Sequence, residues 1–281
     1  MRHFRQVDVF SAEPLKGNPV AVVHDADELT EAQMAAFAHW TNLSETTFLL
    51  TPTVPGADYR VRIFTPSGEL PFAGHPTLGT AHAWLEAGGV PRGERVVQEC
   101  GVGLVELRRD GGRLAFAAPS LLRSGPVSGD DLARISAGLR IGSEEILAAA
   151  WADNGPGWVA VRLADADAVL AVRPDASALG DLAVGVVGPY PPGAACAIEV
   201  RAFVGGLGVD EDPVTGSLNA SLAQWLIGEG TLPRSYVASQ GTALGRRGRV
   251  HIDADVRAEG TTVWVGGATR TTIVGSVDLG G

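Results

Sequence analysis

Two stretches of this 281-residue chain repeat one pattern. Pro71-Phe-Ala-Gly-His-Pro-Thr-Leu-Gly-Thr-Ala-His-Ala-Trp-Leu-Glu-Ala-Gly-Gly89 is echoed half a chain later by Asp212-Pro-Val-Thr-Gly-Ser-Leu-Asn-Ala-Ser-Leu-Ala-Gln-Trp-Leu-Ile-Gly-Glu-Gly230. Each is a loop rich in Gly, Pro and Thr or Ser running into an apolar helix that ends in glycine. A shift of 141 positions lays Trp84-Leu85 on Trp225-Leu226. A small-residue loop at a helix N-terminus presents free backbone N–H groups and the positive end of the helix dipole, a ready site for an anion. One such loop in each half predicts two similar domains with the active site in the cleft between them.

The rest of the chain reads around those two helices. In the first half, strands are predicted at Phe4–Phe10, Asn18–Val23, Thr46–Leu50, Tyr59–Phe64, Val96–Glu99, Leu104–Leu107 and Leu114–Ala117. Helices are predicted at Thr30–Trp40, with Thr30 as N-cap, and at Pro76–Ala87, with Pro76 at the first helical position and Gly88-Gly89 as the stop. Pro119 to Gly129 is polar and turn-rich and reads as the crossover. The second half gives helices at Asp130–Leu139, Ser143–Ala150 and Ser217–Ile227. Its strands fall at Trp158–Leu163, Ala183–Val187, Ala197–Phe203, Ser235–Ala238, Arg249–Ile252 and Thr262–Val265, with Gly266-Gly267 breaking the pattern. The last strand, Thr271–Val277, returns to the first domain. Strands and helices do not alternate regularly, so the fold class is α+β: in each domain a curved, mostly antiparallel sheet wraps one central apolar helix. The domains are 1–118 with about 268–281, and 119–267.

Composition narrows the function. A net charge of −10 and a pI of about 5.0 give no basic face for nucleic acid. The N-terminus lacks the apolar run of a signal peptide and no stretch is long enough to span a membrane, so a cytoplasmic location is expected. Cys100 and Cys196 lie far apart outside any CxxC pattern and read as reduced thiols in strands. A Schiff-base mechanism would rest on Lys16 alone. The six histidines show no ligand spacing; His75 and His82 could share a helix face but have no companion, so no metal is expected.

The candidate chemistry lies in the loops. Gly74-His75-Pro76-Thr77 sets a histidine and a threonine at one helix start, and Asp212-Pro-Val-Thr-Gly216-Ser217 sets hydroxyls and amides at the other. Such amides suit a carboxylate or enolate oxygen. Each residue also has a plainer reading: capping for Ser217 and Thr77, an Asp-Pro turn for Asp212, a buried turn histidine for His75. Glu45, in Asn42-Leu-Ser-Glu-Thr-Thr-Phe48, is either a solvated carboxylate at a strand start or a general base in a cleft. Spacing alone favours the plainer reading for each.

Several segments in order resemble the PhzF (phenazine-biosynthesis-like) family, which shares the diaminopimelate epimerase and proline racemase fold. They are Val7-Asp-Val-Phe10, Gly17-Asn-Pro-Val-Ala-Val-Val23, Asn42–Phe48, Arg62-Ile-Phe-Thr-Pro-Ser-Gly-Glu-Leu-Pro-Phe-Ala-Gly-His-Pro-Thr-Leu-Gly79, Gly208-Val-Asp-Glu-Asp-Pro-Val-Thr-Gly-Ser217 and Ser239-Gln-Gly-Thr-Ala-Leu-Gly-Arg246. The resemblance implies that Glu45 is the catalytic acid/base. It implies that His75, Asp212 and Ser217 surround a small carboxylate substrate, that Gly74 and Gly216 supply backbone donors, and that the enzyme is a cofactor-independent homodimer. Leu218 departs from the pattern, where alanine often follows the serine; the change is expected to alter the cleft and not the chemistry. Roughly Leu121 to Gly193 matches no family motif.

Racemases and epimerases of this fold use two cysteines on opposite faces of one carbon, whereas the matching helix starts here hold His75 and the Thr215-Gly216-Ser217 run. One carboxylate base suits a proton taken from one carbon and returned to another on the same face, an isomerisation. The alternatives are a racemase or epimerase with non-cysteine bases and a non-catalytic small-anion binding protein.

Overall fold

The computed structural model describes residues 1–204, 211–257 and 260–280. The chain forms two compact units, Met1–Ala117 with Gly266–Gly281, and Ala118–Val265. The first contains β1 (Arg2–Val9), β2 (Asn18–Val23), α1 (Glu31–Thr41), β3 (Glu45–Leu50), β4 (Tyr59–Thr65), β5 (Gly68–Leu70), α2 (Gly74–Glu86), β6 (Val96–Cys100), β7 (Gly103–Asp110) and β8 (Arg113–Ala117). The second contains β9 (Arg123–Pro126), α3 (Gly129–Leu139), β10 (Ala148–Asp153), β11 (Trp158–Arg162), α4 (Ala166–Ala171), α5 (Ala176–Leu179), β12 (Ala183–Pro189), β13 (Ile198–Val204), β14 (Glu211–Asp212), α6 (Gly216–Gly228), β15 (Ser235–Gln240), β16 (Gly248–Arg257) and β17 (Gly260–Gly267). The last strand, β18 (Thr269–Val277), belongs to the first unit and pairs antiparallel with β1.

Each sheet follows the same pairing order. In the first unit β1, β2, β3 and β4 lie in succession, β4 pairs with both the short return strand β5 and with β6, and β6 continues to β7 and β8. In the second, β10, β11, β12 and β13 lie in succession, β13 pairs with both the short β14 and with β15, and β15 continues to β16. The parallel pairs also correspond: β2/β3 with β11/β12, and β4/β6 with β13/β15. All other pairs named here are antiparallel. The duplication is therefore one of topology.

Its register is 142 rather than 141. α2 and α6 are each 13 residues long, starting at Gly74 and Gly216. Gly88 N–H donates to Leu85 O and Gly230 N–H to Ile227 O, both at 3.0 Å, and both glycines have the positive φ that closes a helix. The sequence match on Trp84-Leu85 and Trp225-Leu226 is thus one residue out of step. Caps set the helix ends, whereas both tryptophans are only half-buried and sit about 100° apart around their helices. At a shift of 142, Glu69, Pro71, Gly74, Ala81, Gly88 and Gln98 fall on Glu211, Pro213, Gly216, Ala223, Gly230 and Gln240.

Period-two alternation along the strands assigns the two faces of the first sheet. Val23, Phe48 and Phe64 turn to α1, where Met34 and Phe37 complete a buried cluster. Alternate residues turn to α2: Thr47 accepts a hydrogen bond from Thr80 at 2.8 Å, and Val20 lies against Gly79. The second unit builds the equivalent outer layer from α3, α4 and α5 over Val159, Val161, Val184, Val186 and Phe203.

Four expectations are corrected. α2 begins two residues early, so Pro76 is the third helical residue, where its missing N–H still costs no helical hydrogen bond. Ser143–Ala150 is not a helix; a single 3-10 turn at Ser143–Glu145 precedes strand β10, whose alanines alternate between two packed faces. The stretch Pro119 to Gly129 contains a strand, β9, paired with β10. The glycines Gly266-Gly267 continue β17 rather than break it, because a side chain at Gly266 would press on the backbone of Leu114. Gly208, Val209 and Asp210 of the second motif lie outside the described residues.

Candidate active site

Glu45 opens β3 and shares the α2-facing side with Thr47. It pairs in register with Val20 of β2. Gly79 has no side chain, so α2 packs directly on Val20, and one helical turn back this sets His75 against the start of β2. His75 Nδ1 lies 3.4 Å from the amide nitrogen of Asn18, and its Nε2 lies 3.3 Å from Glu45 Oε2. The histidine is 4% exposed. Burial is the main cause that pulls its pKa down to about 3, against a hydrogen bond to the Pro19 backbone that raises it. His75 is therefore neutral near pH 7, and its contact with Glu45 is not an ion pair.

Neither central helix has a side-chain N-cap. The capping reading of Thr77 and Ser217 is thus replaced by two other engagements. Thr77 is fully buried and its hydroxyl accepts from Gln98 at 3.0 Å. Ser217 Oγ accepts from Trp158 Nε1 at 3.0 Å, which leaves its own O–H available to donate. The first-turn amides of Gly74 and His75 in α2, and of Gly216 and Ser217 in α6, precede the first intrahelical bonds, which Thr77 N–H and Asn219 N–H make.

In the second unit Asp212 ends β14, and its Oδ2 accepts from the Thr215 hydroxyl at 2.6 Å. The strand before it is pinned by a buried bidentate pair: Arg201 Nε and Nη2 donate to Glu211 at 2.9 and 2.7 Å. The first unit repeats the device. Arg62 Nε and Nη2 donate to Glu69 at 2.7 and 2.5 Å, and Phe64 and Phe203 stand directly opposite the two glutamates. Each short return strand, and so each loop into a central helix, is held by an Arg–Glu fork. The fork is not apparent from motif reading: Glu69/Glu211 and Gln98/Gln240 are identities at a shift of 142, and Gln240 lies in the Ser239–Arg246 segment, but Arg62 and Arg201 are 139 apart.

Strand pairing, which sets β3 on β12 at a shift of 138, and the shift of 142 around the central helices expose where the halves differ. Thr46 lies opposite Phe64 and Val184 opposite Phe203, so the counterpart of Glu45 is Ala183. The counterpart of Asp212 is Leu70, that of Thr215 is Ala73, and that of His75 is Ser217. Leu218 is fully buried and packs over Gly185 of β12. Burial pushes both thiols, Cys100 and Cys196, upward in pKa, the opposite of an activated cysteine. Among the described residues no group of three or more His, Cys, Asp or Glu side chains could hold a metal ion, and no helix is long and apolar enough to cross a membrane.

Comparison with known proteins gives a consistent assignment. Residues 7–275 match the family described as phenazine biosynthesis-like protein. The chain is 36% identical to the antisense-enhancing sequence 1 protein of Schizosaccharomyces pombe, over 97% of each. It is 37% identical to the trans-2,3-dihydro-3-hydroxyanthranilate isomerase of Pseudomonas fluorescens, over 93% of this chain and 94% of that one. The solved structure of a phenazine biosynthesis protein of the PhzF family from Enterococcus faecalis superposes with a TM-score of 0.80 at 27% identity, over 98% of each chain. Matched from near its first strand into its last, and built on the same doubled sheet-and-helix fold, the chain belongs to the phenazine biosynthesis-like family.

Proposed function

We propose that this isomerase moves a proton between two carbons of a small carboxylate substrate, with Glu45 as the acid/base. The observation that carries the reading is the pairing of Glu45 with neutral His75 at the start of α2, with no second carboxylate in the equivalent place: its counterpart is Ala183. Inversion of a stereocentre calls for acid and base on opposite faces, and a duplicated fold would supply them from matching positions. One base on one face favours removal and return of the proton on the same side.

Glu45 takes the proton from the carbon beside the substrate's unsaturated system and returns it at the other end. His75, uncharged, faces the Glu45 carboxyl through Nε2 and helps to orient it. The free amides at the start of α2 offset the negative charge that develops on the substrate. For Asp212, Gly216 and Ser217 of the second unit, a substrate-binding role rests on the family resemblance alone. The trans-2,3-dihydro-3-hydroxyanthranilate on which the Pseudomonas fluorescens relative acts is the first substrate to try.

The test is incubation of that compound with the protein in D₂O. Product with a new C–H bond at the far carbon, holding the original hydrogen or one deuterium according to whether the Glu45 proton exchanges with solvent, and a loss of about 100-fold or more in kcat for Glu45→Gln, support the proposal. Deuterium at the original carbon with loss of optical activity supports a racemase instead. Equal turnover by wild type and Glu45→Gln removes Glu45 from the mechanism.

A further inference from the structure

We infer that Gln240 is a positioning residue that sets the orientation of the Asp212 carboxylate through the Thr215 hydroxyl. The inference rests on the reading of Asp212 as a substrate-binding group. Gln240 ends β15 and is fully buried. Its Oε1 accepts from the Thr215 backbone N–H at 3.0 Å and from Asn219 Nδ2 at 2.8 Å. Its Nε2 donates to the Asp212 carbonyl at 3.2 Å and to Thr215 Oγ1 at 2.9 Å.

These partners leave the amide one orientation. A backbone N–H can only donate and a backbone carbonyl can only accept, so the oxygen and nitrogen of Gln240 cannot be exchanged. The consequence passes along the chain of bonds. Thr215 Oγ1 accepts a hydrogen bond from Gln240 Nε2, so its own O–H donates to Asp212 Oδ2, 2.6 Å away. Oδ2 is thereby an acceptor, and rotation of the carboxylate is restrained from inside the fold. The chain after Gln240 supports the same loop from below: Gly241, at φ 88°, passes so close that a side chain would meet the Pro213 carbonyl at 2.5 Å.

The first unit supplies an internal control. Gln98 occupies the place of Gln240 and also bonds the fourth residue of its helix: its Nε2 donates to Thr77 at 3.0 Å, whereas the Gln240 oxygen accepts from Asn219. There the other partner is the Tyr59 hydroxyl, and the positions of Asp212 and Thr215 are Leu70 and Ala73. α2 is thus a 13-residue helix bonded to a buried glutamine with neither the carboxylate nor the hydroxyl at the places of Asp212 and Thr215. The Thr215–Asp212 extension in the second unit is additional to that structural task.

The experiment compares Thr215→Val, Thr215→Ser and Gln240→Leu, the last also in an Asp212→Asn background, with trans-2,3-dihydro-3-hydroxyanthranilate as the probe and thermal melting as the check on folding. Thr215→Val is expected to lower kcat by about 10- to 100-fold with KM within about threefold, and Thr215→Ser to restore it. Gln240→Leu is expected to add nothing once Asp212 is Asn. Wild-type kcat in Thr215→Val, or a full further loss on adding Gln240→Leu to Asp212→Asn, would overturn the inference. If Gln240→Leu does not fold, the Thr215 pair decides. If wild type does not turn the probe over, the substrate reading above fails, and crystal structures decide the relay. A carboxylate rotated in Thr215→Val but not in Thr215→Ser supports it; one unmoved in Thr215→Val refutes it.

Discussion

At the scale of single residues, the state of His75 is decided by burial rather than by its carboxylate neighbour. Its folded pKa, about 3, lies below the ordinary value of 6.5. Between those two values the unfolded chain binds a proton that the folded chain refuses, so stability is complete above pH 6.5 and falls as pH drops toward 3. His24, drawn down to about 4 chiefly by burial, and His82, lowered for the same reason, act in the same direction. Replacing His75 with Asn is expected to make the loss of urea stability between pH 6.5 and pH 4 shallower than in wild type. An unchanged slope would mean that His75 titrates freely in the folded protein. The motif around His75 identified the residue but not its charge, because burial depends on Val20 and Gly79 packing together from distant parts of the chain. Glu45 shows the same limit. Its position was readable from Ser44-Glu45-Thr46, while its pairing with His75 follows only from strand register.

Between helices and strands, glycines determine how closely a central helix approaches its sheet. Gly79 lets α2 rest on Val20, and the contact is tight enough that a methyl at this position must move the helix or the valine. Gly79→Ala is expected to destabilise the protein by about 1–3 kcal/mol through overpacking. It should also lower kcat, because the shift is transmitted one turn to His75 and Glu45. A melting curve with a parallel turnover assay checks both, and a variant less stable but fully active would separate packing from catalysis. In the second unit the relation is reversed. Leu218 supplies the bulk from the helix and Gly185 yields on the strand. Leu218→Ala is expected to cost about 2–5 kcal/mol, and Gly185→Ala to be destabilising alone but less so in the Leu218→Ala background, read as a double-mutant cycle. Most elements were legible from periodicity and caps, such as Thr30 closing a capping box with Gln33. Ser143–Ala150 was misread because an alanine-rich run satisfies a helix as well as a doubly packed strand.

For the whole molecule, the decisive feature is that the first unit is assembled from both ends of the sequence. β18 pairs with all eight residues of β1, and its Thr271 hydroxyl donates to Glu86 of α2 at 2.7 Å, while His82 lies 3.0 Å from Thr269. β18 therefore closes the sheet and also fastens α2. The second unit, by contrast, is one continuous stretch with its own buried cluster. Loss of β18 would leave the backbone groups of β1 unpaired along an edge that carries Val7 and Val9, both fully buried in the intact protein. A chain ending at Gly267 is thus expected to lose amide-exchange protection in β1, β2 and α2 and to lose turnover, while β11, β12 and β13 stay protected. Uniform loss of protection would show instead that the two units fold as one cooperative block, and that the duplication visible in topology is not a duplication in stability.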